Sequence, residues 1–223
     1  MSVKNEAVFA ELYPFWNALT PSQQLEMMEG TTLRSFEPGD HVHNAGQCTG
    51  VLGILFGRLR VYLLSDTGKE VTLFRLMDGD TCMLSASCII KNISFDIYVS
   101  AETKTELLLI SSAVYDKIAN ENPKAESFMK DIISMRFSEA MWIVEQLLFM
   151  KLDRRVSIFL LEQSALDESD IITLTHEQIA NHLGTAREVI SRMLKYMSKE
   201  GLLSVSRKGI TILDRKALMA LAN

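Results

Sequence analysis

The sequence has no apolar run of roughly 18 residues, so no stretch is suited to crossing a bilayer as a helix. It has no hydrophobic segment near Met1 of the kind that directs secretion. Its first residues are acidic and polar, which points to the cytoplasm. Cysteine is scarce: Cys48, Cys82 and Cys88 are the three in 223 residues, and an odd count in such a chain does not suggest a disulfide framework. An excess of positive charge is also missing, because 23 Lys and Arg against 28 Asp and Glu leave −5. What is present is a hydrophobic fraction of 48% with 23% charged residues, the composition of a globular protein with a substantial core, in one large domain or two smaller ones. The shortage of positive charge is uneven. Residues 1–150 hold 12 basic against 19 acidic side chains, whereas 151–223 hold 11 against 9. Within 187–208 six basic residues face Glu188 and Glu200 alone. Attraction to phosphate acts locally, so a basic tip on an acidic body is compatible with nucleic-acid binding.

The stretch from Thr175 to Lys195 organises that basic region. Ile179, Leu183, Val189 or Ile190, and Met193 or Leu194 recur at helical spacing, and Gly184 interrupts them. Two helices joined by a short glycine turn fit this layout, of which the DNA-binding helix-turn-helix is one form. Ala180 is small where the helices would touch. Gly184 supplies the left-handed conformation of the turn, and Thr185 is expected to cap the second helix. That helix presents Arg187, Glu188, Ser191, Arg192 and Lys195 on one polar face. An arginine fork grips guanine and a glutamate accepts from the cytosine amino group. The solvated face of an ordinary amphipathic helix has a similar make-up; Ala180, Gly184 and Ile190 at helix-turn-helix spacing weigh against it.

Residues 5–29 read as short helices divided by Pro14 and Pro21, with Thr20 or Ser22 capping the second. From Thr31 to Ile110 the period becomes two, with turns at 37–40, 66–69 and 78–80. Short strands joined by glycine turns predict an antiparallel sandwich or barrel. Pro123 starts a helix that meets no breaker before Met150. It carries one stripe through Ile133, Phe137, Ala140, Val144 and Leu147 and another through Ile132, Met135, Glu139, Trp142, Gln146 and Phe149. One stripe suits the β domain and the other a partner helix in a dimer; a helix buried all round in a single chain is the alternative. Asp153 is expected to cap the next helix, through Leu166. Leu202–Ser206 and Gly209–Leu213 flank Arg207-Lys208 as a hairpin with a basic tip, and Asp214 caps a last short helix.

Taken together, three groups of residues resemble the Crp–Fnr superfamily of bacterial transcription regulators. They are Pro38-Gly39-Asp40 with 57–61 and 76–80; the helix from Pro123 to Leu152-Asp153; and Thr175–Lys195 followed by Gly201-Leu202-Leu203. The resemblance covers nearly the whole chain. It implies an α+β fold: an antiparallel β-roll (a double-stranded, cupin-like β-helix) with N-terminal helices over 1–111, a dimerisation helix over 112–151, and a winged helix-turn-helix over 152–223. It implies a cytoplasmic homodimer that reads a palindromic site in double-stranded DNA beside RNA polymerase. Activation or repression would depend on where that site lies. Arg187, Glu188 and Arg192 fall where the cAMP-responsive branch has its base-reading residues, and Ser191 beside Arg192 is similar to the oxygen-responsive branch, which implies half-sites with a TGA core. Thr185, Lys195 and Lys208 would hold phosphates, and Ile132, Met135, Trp142 and Phe149 would line the dimer seam.

The resemblance offers several effectors. A cyclic-nucleotide site needs an arginine for the phosphate and a glutamate for the ribose. No arginine lies between Arg75 and Arg136, and Met83–Ile97 offers only Lys91 and Asp96 as charges. Ser85-Ala86 or their neighbours stand where relatives keep Gly-Glu, and Trp142 and Ile143 replace polar adenine contacts. A buried phosphate without a cation is costly, so cAMP and cGMP are not expected. An iron–sulfur cluster takes four cysteines, three of them near the N-terminus; here there are three and none precedes residue 48. Cys82-Met83-Leu84-Ser85-Ala86-Ser87-Cys88 resembles the haem-ligand loop of gas-sensing members, with Leu84 in place of their histidine. Four readings stay open: Cys82 and Cys88 as small buried hydrophobes, as a thiol redox pair, Cys82 as a haem ligand with His41 or His43 as chemically capable partners, or an apolar small molecule against Phe137, Met141, Trp142 and Phe149. A cupin-like metal enzyme is the reading from another class. His41-x-His43 supplies its first pair, but the next histidine is His176, so neither a metal nor a catalytic site is expected. His176 and His182 read as surface or phosphate-side residues.

Overall fold

The computed structural model describes residues 5–90 and 95–222. The chain forms two compact units, one of Met1–Leu63 with Leu73–Ala140 and one of Leu64–Thr72 with Met141–Asn223.

In the first unit, α1 (Glu6–Leu12) begins where the Asn5 side chain accepts from Ala7 N. A 3-10 turn, Trp16–Ala18, leads to α2 (Pro21–Glu29). Thr20 caps α2 as expected: its Oγ1 accepts from Gln23 N at 3.3 Å, and Thr20 N donates back to Gln23 Oε1 at 3.0 Å. The strands are β1 (Thr31–Phe36), β2 (His41–His43), β3 (Val51–Phe56), β4 (Leu59–Leu64), β5 (Glu70–Leu76), β6 (Thr81–Cys82), β7 (Tyr98–Ala101) and β8 (Thr105–Ile110). They make two four-stranded sheets, ordered β1-β8-β3-β6 and β2-β7-β4-β5. β1 and β8 pair antiparallel without a bulge, from Thr31 opposite Ile110 to Phe36 opposite Thr105.

Strand β3 does not follow the alternation that a half-exposed strand would show. Val51, Leu52 and Ile54 are all buried, because both faces are covered. Val51, Leu108 and Ile110 join Phe9, Tyr13, Trp16, Tyr115 and Ile118 in a core beneath the helices. Leu52, Ile54 and Leu107 turn the other way and fill the roll with Leu59, Val61, Leu76, Val99 and Cys82.

α3 (Ser112–Glu121) and α4 (Pro123–Phe149) follow, with Asn122 Oδ1 accepting from Lys124 N at 3.0 Å at the start of α4. The two apolar stripes of α4 sit differently from the sequence expectation. Phe128, Met129, Ile132 and Ile133 pack on the helix-side core. Further along, the buried side chains are polar. Arg136 is 4% exposed and Gln146 is 7% exposed. Arg136 pairs with Asp80 at 3.2 Å and Glu139 at 2.9 Å, and its Cζ lies 4.8 Å from the centre of the Phe74 ring. Met135, Phe137, Met141, Trp142, Val144, Leu147, Leu148 and Phe149 are left exposed, Phe149 at 81%. Ile132, expected in a seam between chains, is half-buried against its own core.

In the second unit, α5 (Leu152–Leu166) starts after Lys151 without a side-chain cap. Asp153 is not the cap expected of it: it stands inside the first turn, where its Oδ1 accepts from Arg154 N at 2.8 Å. Then come β9 (Ile171–Ile172), α6 (His176–Leu183), α7 (Arg187–Lys199), β10 (Leu203–Ser206), β11 (Gly209–Ile212) and α8 (Arg215–Ala222). Asp214 does cap α8, accepting from Ala217 N at 2.9 Å. The strands form one sheet in the order β10-β11-β9. Its core joins Val156 and Leu160 of α5 to Ile179, Ala180, Ile190, Leu194, Leu203 and Ile210. Among the described residues no helix is long and apolar enough to cross a membrane.

Candidate nucleic-acid interface

The pair α6–α7 is held by its own sequence. Thr175 Oγ1 accepts from Gln178 N at 3.1 Å, and Thr175 N donates to Gln178 Oε1 at 2.8 Å, a capping box at the start of α6. Gly184 ends α6 at φ 63°, ψ 36°, the left-handed conformation that a residue with a side chain adopts at a cost. Thr185 N then closes back on Ala180 O at 3.0 Å. Thr185 is not the cap of α7: Ala186 holds that position, with no side-chain bond, so Thr185 is half-buried in the turn. Arg155, to which the sequence reading gave no role, donates its guanidinium to Leu183 O at the end of α6. Burial pushes the Arg155 pKa down, since the charged form is the less well solvated one there. No sequence pattern marks it, because its partner is a backbone oxygen 28 residues on.

α7 buries Ile190, Leu194 and Met197 and turns Arg187, Glu188, Arg192 and Lys195 to solvent. Ser191 differs from these four. It is half-buried, and its Oγ lies 2.8 Å from His176 Nδ1. His176 thus braces one helix against the other. His182 is not a surface residue: it is 9% exposed, with Nδ1 2.8 Å from Oγ1 of Thr72, part of the 64–72 segment that belongs to this unit.

The β10–β11 hairpin pairs Leu203 with Ile212 through to Ser206 with Gly209, leaving Arg207 and Lys208 exposed at its tip. Gly209 (φ 131°) is required by its neighbour, since a Cβ there would run into Ile172 O on β9. A cleft of about 550 Å³ is lined by Thr175, His176, Glu177, Arg187, Arg207 and Lys208, so the start of α7 and the hairpin tip share one basic concavity. A smaller cleft, about 340 Å³, is lined by Ser191, Lys195, Ser198 and Val205. Arg187 and Lys208 therefore come together, as do Ser191 and Lys195, while Glu188 and Arg192 stand on the open face of α7. Cations beside helix and hairpin can hold phosphates, and the exposed α7 side chains can reach base edges.

The cysteines depart from the sequence reading. Cys82 is 1% exposed in the roll core, whereas Cys88 is exposed and disulfide-bonded to Cys48. Cys82 and Cys88 are thus neither a redox pair nor two buried hydrophobes, and the odd cysteine count hid a bond spanning 40 residues. Burial pushes the Cys82 thiol up, against the lowering effect of its bonds with Ser85. These residues do not fit a haem. An iron ligand at Cys82 has to be a thiolate, which that setting disfavours. His43 is 2% exposed with Nδ1 2.7 Å from Thr49 Oγ1, and His41 stands apart on the surface. Among the described residues no three His, Cys, Asp or Glu side chains are grouped to hold a metal ion. In the window read for a phosphate site, Lys91 lies outside the described residues and Asp96 Oδ1 accepts from Gly46 N at 3.1 Å. Trp142, named both for an effector and for a seam, is 42% exposed.

Comparison with known proteins gives a consistent answer. A family model described as a Crp-like helix-turn-helix domain matches residues 154–221. The anaerobic regulatory protein of Pasteurella multocida is 27% identical over 195 residues, covering 84% of this chain and 68% of that protein. A crystal structure from Eubacterium rectale, assigned to the Crp/Fnr family of transcriptional regulators, superposes with a TM-score of 0.92 at 42% identity, over 95% of this chain and 98% of the other. A regulator from Xanthomonas campestris shares the fold at 18% identity and a TM-score of 0.72, over 87% of this chain and all of the other.

Proposed function

The chain belongs to the Crp/Fnr family of transcriptional regulators, and from that premise we propose that it works as a homodimer reading a palindromic DNA site with TGA-containing half-sites, under the control of a signal other than cAMP. The observation that carries the proposal is the exposed face of α7, where Arg187, Glu188 and Arg192 stand free of the core and Arg187 shares a cleft with the basic hairpin tip. Arg187, Glu188 and Arg192 are assigned to base edges, with Ser191 beside them. Thr185, Lys195 and Lys208 are assigned to phosphates, which position without specifying. Two copies of α7 related by a twofold axis would enter successive major grooves, roughly 34 Å apart. The exposed apolar residues of α4, among them Met135, Trp142 and Phe149, supply the surface for the second copy. Such a dimer would act in the cytoplasm, next to RNA polymerase at promoters.

The roll supports a signal without a buried phosphate. No arginine lies between Arg75 and Arg136. Arg58 and Arg75 both meet Glu102, at 2.9 and 2.8 Å, and Arg136 meets Asp80 and Glu139. The relative named as an anaerobic regulatory protein points toward redox-linked control.

Selection from random duplexes tests the reading directly. The wild-type protein should return an inverted repeat with TGA in each half. Arg192→Ala should weaken binding to that site by about 1–3 kcal/mol, roughly five- to 150-fold, and relax one base position per half-site. A mutant that keeps the full base preference, or a wild-type protein that selects an asymmetric site, removes the assignment.

A further inference from the structure

We propose that Cys48 and Cys88 form a reversible thiol–disulfide exchange site, oxidised by low-molecular-weight disulfides, whose state sets the affinity of the protein for its DNA site. The link to DNA rests on the function proposed above; the exchange chemistry does not.

The two cysteines are bonded to each other, with Cα atoms 5.8 Å apart, and both are exposed. A spacing of this size is the usual one for a bridge that forms without moving the backbone. Exposure matters because exchange needs a thiolate to reach a disulfide sulfur in line, and accessible disulfides are the labile ones. Cys82, enclosed in the roll with its thiol pushed up by burial, offers neither access nor thiolate. The molecule thus separates one inert cysteine from two reactive ones.

The surroundings make the bond reversible. Cys48 lies in the loop between β2 and β3, and Cys88 in the 3-10 segment Leu84–Ile89. Three hydrogen bonds not involving sulfur hold these segments together. Thr49 N and Gly50 N donate to Ser85 O at 3.0 and 3.3 Å, and Ser85 Oγ donates to Gly50 O at 2.7 Å. With the sulfurs reduced, the same bonds keep the two thiols neighbours, so ring closure competes well against small thiols. Oxidation runs in two exchanges. One cysteine thiolate attacks a sulfur of the small disulfide, forming a mixed disulfide and releasing one small thiolate. The other cysteine thiolate then attacks the protein sulfur of that mixed bond and releases the second. The two cysteines lose two electrons, the small disulfide gains them as two thiols, and the protons leave with those thiols.

The same segment reaches the core that seats α4. Met83 and Ala86 are buried in the helix-side core, with Ile89 and Ile90 packed on it, and so are Phe128, Met129, Ile132 and Ile133 of α4. Opening the bond frees one side of the Leu84–Ile89 segment, and α4 carries the change along its 27 residues. Two packings of such an element suffice for a switch.

The test equilibrates the full-length protein in glutathione buffers from fully reduced to fully oxidised. The Cys48–Cys88 peptide is quantified by alkylation and mass spectrometry, and affinity is measured for the duplex returned by selection. The pair should titrate within the buffer range, with Cys82 a thiol throughout. Affinity should change at least fivefold along the same curve, the size usual for coupling between sites. Cys48→Ser and Cys88→Ser should each lose the dependence, and Cys82→Ser should keep it. The proposal is overturned by a pair that stays bonded in dithiothreitol, by one that stays reduced in oxidised glutathione, by titration without a change in affinity, or by a Cys48→Ser protein that still responds. A protein that binds no duplex in any buffer fails the DNA reading, while the thiol titration, read on the protein alone, still decides whether the exchange site exists.

Discussion

The helix-turn-helix unit and the β-roll use their charged side chains in opposite ways. On α7 and the hairpin, Arg187, Arg192, Lys195, Arg207 and Lys208 are exposed, and the fold is completed by apolar and capping residues beneath them. In the roll most of the arginines are taken up internally, with Arg34 on β1 the exposed exception. Arg58 and Arg75 meet Glu102, Arg60 lies 4.3 Å over the Tyr62 ring, and Arg136 bridges Asp80 and Glu139. A surface that reads another molecule is built of groups the fold does not need. By that criterion the exposed cations of α7 and the hairpin suit the DNA reading proposed above, and the paired arginines of the roll are structural.

The largest effect expected from breaking this contrast is thermodynamic. Ile190 is fully buried in the core to which α5, α6 and α7 all contribute, so Ile190→Ala should destabilise its unit by about 2–5 kcal/mol. DNA binding should fall with it as the unit unfolds, while the accessibility of Cys82 in the other unit to an alkylating reagent stays unchanged. Thermal unfolding read alongside Cys82 alkylation checks this; exposure of Cys82 in the mutant would show that the two cores melt together. Arg192→Ala, by contrast, should leave the melting curve in place and change binding alone.

The capping boxes at Thr20 and Thr175 sharpen the comparison at smaller amplitude, because the same device serves a helix in each unit. Thr20→Ala and Thr175→Ala each remove the acceptor for a backbone N–H, at 3.3 and 3.1 Å, and should each cost about 1 kcal/mol. Only Thr175→Ala should weaken DNA binding, since α6 supports α7. Equal losses of affinity in both mutants would contradict the separation of roles. Smaller again is Lys208→Ala, which should lower the slope of log affinity against log salt by about 1 and leave base preference alone.

How much of this was legible in the sequence follows from the range of the forces. The capping residues Thr20 and Asp214 were readable because each bonds within three residues of itself, whereas the capping box at Thr175, equally local, was passed over. The Gly184 turn was readable because backbone sterics are local. Thr185 and Asp153 were misplaced as caps by one and two residues, since neither Ala186 nor Lys151 carries a side-chain signal of its own. The exposed α7 face and hairpin tip could be listed in advance, but the pairing of His176 with Ser191 could not, as it depends on the angle of two helices. Long-range chemistry was hidden altogether. The Cys48–Cys88 bond joins a loop to a 3-10 segment 40 residues away. The burial of Arg136 depends on Asp80, 56 residues back, and put on the packed side of α4 a charged side chain that neither apolar stripe included.

The smallest effect concerns the roll alone and works through pH. His43 is 2% exposed and holds Thr49 through Nδ1, beside the loop that carries Cys48. Burial lowers its pKa below the usual value, and the nearby Asp96 carboxylate offsets this only in part. In the unfolded chain the imidazole returns to about 6.5. Between the two values the unfolded state binds more protons than the folded one, so stability falls as pH decreases through that interval. The contribution is fully present above about 6.5 and is lost as pH drops through the folded value. Urea unfolding of the roll, followed at the buried Trp16, should therefore show a midpoint that declines below neutrality. His43→Gln, which keeps a hydrogen-bonding side chain of similar reach but does not titrate, should flatten that decline. Parallel curves for the two proteins would mean that the roll tolerates a charged imidazole, and that the acid sensitivity of this unit arises from its carboxylate pairs.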